Sequence, residues 1–193
     1  MSTFVMIGVV VILLIGVAGL VGYIISLYNS LIQVKNNLGK AWKNIDVLLM
    51  QRHDELPKLI NAVKGYMKHE RELLTRITQL REGYRNARTI GEKTRIENDL
   101  NREIGRLRIT LEQYPDLKAS NNFLQLQGRI SAIESSIADR RELFNDSVNI
   151  YNIQVERFPE LILAKIMNYR RHSSLEVPEE SKHDVDVKMA LAS

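Results

Sequence analysis

From Met1 to Val34 the chain carries no charged side chain, and Phe4 to Ile25 within it is dominated by Val, Ile, Leu and Gly. About 22 apolar residues match the ~20 that a helix needs to cross a ~30 Å hydrocarbon core at 1.5 Å per residue. No Lys or Arg precedes the run, and it is longer than the apolar region of a cleaved signal. The segment is therefore expected to be an uncleaved transmembrane anchor over residues 4–25. Everything after it must fold as a domain tethered to a bilayer.

Beyond the anchor, Lys35, Lys40 and Lys43 come before the first acid, Asp46. By the positive-inside rule this flank stays in the cytoplasm, with the N-terminus outside. Ala18, Gly22 and Ser26 recur every fourth residue and so share one helix face, a small-xxx-small surface on which another membrane helix, including one from a second copy, could pack.

The chain has 193 residues and no cysteine, which excludes disulfides, a thiol nucleophile and thiolate metal sites. Its net charge is +4, but Lys and Arg alternate with Asp and Glu along most of the sequence, which describes solvated helix faces rather than a nucleic-acid surface.

The soluble part reads as helices. Leu27, Leu31, Val34, Leu38, Ala41, Ile45 and Leu48 step by four and three residues, the seam of a helix packed on others. A second seam runs through Leu59, Val63, Tyr66, Glu70, Leu73, Ile77, Leu80 and Tyr84. Pro57 separates the two, with Asp54 as a cap, and predicts a reversal there, the alternative being a kinked continuous rod. Thr89-Ile90-Gly91-Glu92 has capping-box spacing and opens a third helix with Ile96, Leu100, Ile104, Leu107 and Leu111 inward. That helix is expected to stop at Tyr114-Pro115. A long fourth follows from Ser120 or Asn121, with Phe123, Leu126, Ile130, Ile133, Ile137, Arg140, Phe144, Val148, Tyr151, Val155 and Phe158 inward. The expected fold is all-α: a transmembrane helix continuing into an antiparallel up-and-down four-helix bundle over residues 26–159.

These residues carry a resemblance. Tyr28-Asn29-Ser30-Leu31, Ala41-Trp42-Lys43-Asn44-Ile45-Asp46-Val47, the run Arg52 to Ile60 and the run Val63 to Glu70 resemble the LemA family of prokaryotic membrane proteins. Tyr114 to Ala119, Asn122 to Gln127, and Phe144-Asn145 through Tyr151-Asn152 extend it, so it covers about Tyr28 to Pro159. The resemblance implies an N-terminal anchor and an antiparallel helical bundle at a prokaryotic cell (inner) membrane. The family's tail often holds a Gly-Phe-rich stretch, whereas this chain has the apolar, helix-prone Glu160 to Met167.

Four side chains stand out as structural or interaction residues: Trp42, the only tryptophan, Asp46, and the charges Glu70 and Arg140 on otherwise apolar seams. His69-Glu70 lacks the second histidine of a zinc-protease helix, since position 73 is Leu73. Phosphate-loop, nucleophile-elbow and calcium-loop patterns are missing too, so neither catalysis nor a cofactor or metal is expected. Residues 160–171 are expected at the membrane side, where Leu161, Ile162 and Ile166 with Arg170 and Arg171 suit a lipid interface or the base of the bundle. Residues 172–193 read as a disordered tail. The functional expectation is a noncatalytic scaffold holding membrane or cytoplasmic proteins at the bilayer, with a transmembrane sensor of membrane stress or proteolysis as the alternative.

Overall fold

A computed structural model describes residues 2–67 and 69–175. Every regular element among them is a helix: α1 Ser2–Lys64, α2 Arg71–Asn86, α3 Ile90–Leu111, α4 Pro115–Lys118, α5 Asn121–Glu156 and α6 Glu160–Ile166. α1 is long and apolar enough near the N-terminus to cross a membrane, and none of that stretch is buried. Ala18, Gly22 and Ser26 lie exposed on it, and a Cβ added at Gly22 would meet nothing within 4 Å.

The chain forms two compact units, residues 2–43 with 142–175, and residues 44–141. In the second, one core draws Leu56, Leu59 and Val63 from α1, Leu74, Ile77 and Leu80 from α2, Leu100, Ile104, Leu107 and Leu111 from α3, and Phe123 and Ile130 from α5. Burying a side chain such as Ile77, at 0% exposure, contributes about 1.5–3 kcal/mol. In the first unit α1 offers Leu31 and Leu38, and α5 offers Phe144, Val148, Tyr151 and Val155.

The reversal expected at Pro57 does not occur. α1 runs through Pro57 and ends at Lys64, and α2 starts at Arg71. A proline inside a helix leaves the carbonyl four residues earlier without its donor. Here that carbonyl belongs to His53, and Arg81 Nε of α2 donates to it at 3.0 Å. A tertiary contact thus replaces the missing helical bond.

Because the second seam is divided between the end of α1 and the start of α2, its phase resets. Tyr66 is half-exposed and Leu73 only partly buried, while Met67 and Leu74 fill the core in their place. Phe158, placed inward by the seam, lies beyond the end of α5 and is 80% exposed.

The capping box at Thr89 is present: the Glu92 amide donates to the Thr89 hydroxyl, and the Glu92 carboxylate accepts from the amides of Arg88 and Thr89. Those donors hold the Glu92 carboxyl below the usual carboxylate range, and the Arg157 hydrogen bond does the same for Glu160. A depressed folded pKa gives stability present above the unfolded value of about 4.3 and lost as pH falls through the folded one. Helix content followed during thermal unfolding should therefore give a melting temperature that falls from pH 5 to pH 3. Glu92→Gln should flatten that decline.

Candidate functional site

Three charged side chains sit on the seams of the second unit. Arg52 follows Ile45 and Leu49 and precedes Leu56 in steps of four and three, Glu97 precedes Leu100 and Ile104, and Arg141 follows Ile137. The helices that bury the apolar positions therefore bury these as well: Arg52 is 3% exposed, Glu97 1% and Arg141 7%. His53, beside Arg52, is 3% exposed.

Glu97 organises the cluster. One carboxylate oxygen accepts from the Arg52 guanidinium, and the other meets His53 Nε2 at 2.6 Å. Arg52 Nη1 also donates to Asn101 Oδ1 at 2.9 Å and lies 3.9 Å from Glu134 Oε1. Glu134 of α5 in turn pairs with Arg108 of α3. Burial lowers the pKa of Arg141, and the nearby Arg52 charge lowers it further, while Glu97 opposes both. The carboxylate thus balances positive charge that the core would otherwise hold unpaired.

The network continues through an aromatic ring. His53 stacks on Tyr84 with centroids 4.3 Å apart, and the Tyr84 hydroxyl donates to Asp46 Oδ1 at 2.6 Å. Lys93 Nζ donates to the same Asp46 oxygen at 2.6 Å and lies 5.0 Å from the Tyr84 ring centroid. Burial raises the Tyr84 pKa and the Asp46 hydrogen bond raises it further, so the phenol remains a proton donor to that carboxylate. Asp46 is thereby a tie between α1, α2 and α3. Among the described residues no group of three or more His, Cys, Asp or Glu side chains is arranged to hold a metal ion.

The other candidates fall differently. Trp42 is half-buried and packs edge-on to Phe144 at 5.9 Å in the first unit. Glu70 is not on a buried seam: it is half-exposed at the N-cap of α2, without a side-chain cap bond. Arg140 is exposed as well, and its neighbour Arg141 takes the inward position. Steps of three then four and of four then three both connect Ile137 to Phe144, so the apolar pattern alone leaves 140 and 141 equivalent.

In the first unit Gln154 Nε2 donates to the Ser30 hydroxyl at 2.9 Å, which brings the end of α5 level with the base of the apolar run. Arg157 there pairs with the buried Glu160; its pKa is raised chiefly by that hydrogen bond and further by the Glu160 charge, against the burial that lowers it. On α6, Ile162 and Ile166 are 52% and 76% exposed, while Leu161 is half-buried. Arg170 is exposed, and Arg171 pairs with Glu156 at 3.1 Å. Of the tail expected over residues 172–193, His172 and Leu175 are instead hydrogen-bonded to α5, and residues 176–193 lie outside the described residues.

A model of the LemA family matches residues 41–189. Protein LemA of Metamycoplasma hominis is 28% identical over 161 residues, 82% of this chain and 73% of that protein. Magnetosome protein MamQ of Magnetospirillum gryphiswaldense and magnetosome protein MamQ 1 of Paramagnetospirillum magneticum are each 32% identical over 68 residues, 35% of this chain and 25% of theirs. The chain thus spans about a quarter of the length of those magnetosome proteins. The family match runs over most of the chain, through the buried network of α1, α2 and α3 and on past α6, and the chain belongs to the LemA family.

Proposed function

We propose that this protein is a noncatalytic scaffold, anchored by α1 in a prokaryotic cell membrane with its bundle in the cytoplasm, that holds partner proteins at the bilayer. In this reading α1, α2, α3 and α5 form an antiparallel up-and-down four-helix bundle. The observation that carries it is the use of Glu97: both oxygens are spent on Arg52 and His53 inside the core, so the polar groups serve packing rather than a substrate. What remains for others is surface, where Leu143, Ile150 and Ile153 stand about half-exposed along α5.

A photo-crosslinking residue placed at Ile150 or Ile153 of the full chain in cells should capture a defined protein, and replacing Leu143 with Lys should weaken that capture. Recovery of lipid adducts alone would end the scaffold reading. The sensor reading is favoured instead if an apolar replacement of the Glu97 network leaves the fold intact and abolishes a cellular response.

The base of the first unit suits the lipid interface. Phe158, Ile162 and Ile166 are exposed beside Lys165 and Arg170, at the end of a helix bonded to Ser30 just beyond the apolar run. An environment-sensitive dye on Ile166→Cys in the vesicle-reconstituted full chain should emit as from an apolar medium and be quenched by lipid-borne quenchers. The same dye on Ile150→Cys should report water. Equal water exposure at both sites would overturn this contact.

A further inference from the structure

After α6 the chain reverses at one residue. The Asn168 amide donates to Lys165 O at 3.1 Å and the Tyr169 amide to Ala164 O at 2.9 Å, while Asn168 itself takes a left-handed φ of 53°. This is a helix-ending loop in which Asn stands where Gly is commonest. It returns residues 169–175 along α5 as a strap.

Two asparagines hold the strap by its backbone. Asn152 Nδ2 donates to His172 O at 2.9 Å, and Asn152 Oδ1 accepts from the His172 amide at 2.9 Å. Asn145 repeats the pattern on Leu175, at 3.0 Å to the carbonyl and 2.8 Å from the amide. The spacing explains the match: seven helical residues advance about 10.5 Å, and three extended residues advance about 10 Å. A carboxamide is the one neutral side chain that donates and accepts through adjacent atoms of a single plane, as a neighbouring strand's backbone does. Asn145 and Asn152 thus form a two-rung ladder that reads an extended backbone whatever its side chains.

Side chains add a preference for this particular segment. The Tyr151 ring meets the His172 ring edge-on at 5.2 Å, Lys35 Nζ lies 4.3 Å from the Tyr169 ring centroid, and Arg171 pairs with Glu156. A foreign peptide would satisfy the rungs alone, whereas the same segment from another copy would remake every contact.

We propose that the ladder is an exchange site between copies of this chain, each seating its strap, residues 169–175, on Asn145 and Asn152 of the other. Only Asn168 has to change, from its left-handed conformation to an extended one, and exchange of an identical element is a low-cost route to a dimer. A shared membrane favours it further by confining the copies to a plane and raising their effective concentration. The exchange stands independently of the scaffold reading.

The test uses the full chain in vesicles, which has no native cysteine. Asn149 lies on α5 between the rungs, and it and Ser173 are both exposed. Carrying Asn149→Cys and Ser173→Cys on one chain, the protein should cross-link on mild oxidation or with a short bismaleimide. Mixed single variants, one bearing each cysteine, should give a covalent heterodimer. Asn145→Asp with Asn152→Asp removes both donors and sets carboxylates against carbonyls, and because both arrangements use the same rungs it should lower the intrachain and interchain cross-links together, each about tenfold, the effect of roughly 1.4 kcal/mol. Cross-linking confined within single chains would show a latch that never exchanges and would overturn the proposal. Heterodimer that persists undiminished in the Asp variants, or a double-cysteine chain that fails to cross-link at all, would overturn it as well.

Discussion

Replacing Glu97 with Ala is expected to cost about 3–5 kcal/mol, the range measured when one partner of a buried ion pair is removed. The carboxylate is 1% exposed and answers Arg52 and His53 directly, with Arg141 close enough for its charge to be felt. Without it two arginines remain in the core, each disfavouring the other. Glu97→Gln keeps the shape and an acceptor but loses the charge, so it should recover only part of the loss. The complementary experiment removes the whole set: Arg52→Met, His53→Leu, Glu97→Leu and Arg141→Met together should be neutral or stabilising by about 1–4 kcal/mol, because no desolvated charge is left. Urea unfolding followed by helix content reads both effects. A loss below about 1 kcal/mol for Glu97→Ala would mean that water reaches the cluster and that it contributes no more than a surface pair.

The same residues show what the sequence made legible. Apolar stepping located the seams of α1, α3 and α5, and Thr89 with Glu92 marked the start of α3, because periodicity and capping are local properties. Charges on a seam were harder to see. Arg52, Glu97 and Arg141 occupy seam positions by strict stepping of three and four, yet an isolated charged residue is far more often solvated than buried, so the pattern becomes informative only when three helices are aligned and the charges found to be complementary. Arg140 and Arg141 are indistinguishable in the sequence because a seven-residue interval divides equally well either way. The strap is illegible for a different reason: Asn145 and Asn152 contribute to the family resemblance, but their bonding depends on a segment 20 to 30 residues away that has no periodicity of its own. At Pro57 the sequence leaves reversal and a continuous rod both open, because a helix interior normally rejects proline and the contact that accommodates it comes from another helix.

That accommodation makes the second large effect. Pro57→Ala should stabilise the protein by up to about 3 kcal/mol, the usual penalty of proline within a helix, since Ala supplies the amide that His53 O lacks. Arg81→Met should cost about 1–3 kcal/mol in the natural sequence, because it orphans the carbonyl of a residue that is 3% exposed. In the Pro57→Ala background the same carbonyl already has a helical donor, so Arg81→Met should cost about 1–2 kcal/mol less than it does alone, a coupling that a double-mutant cycle measures directly. Two changes that add to within about 0.5 kcal/mol would show that Arg81 does not stand in for the missing amide. Strong coupling would instead identify Arg81 as the residue through which α2 permits α1 to continue past Pro57 to Lys64, so that Met67, beyond the helix end, can enter the core.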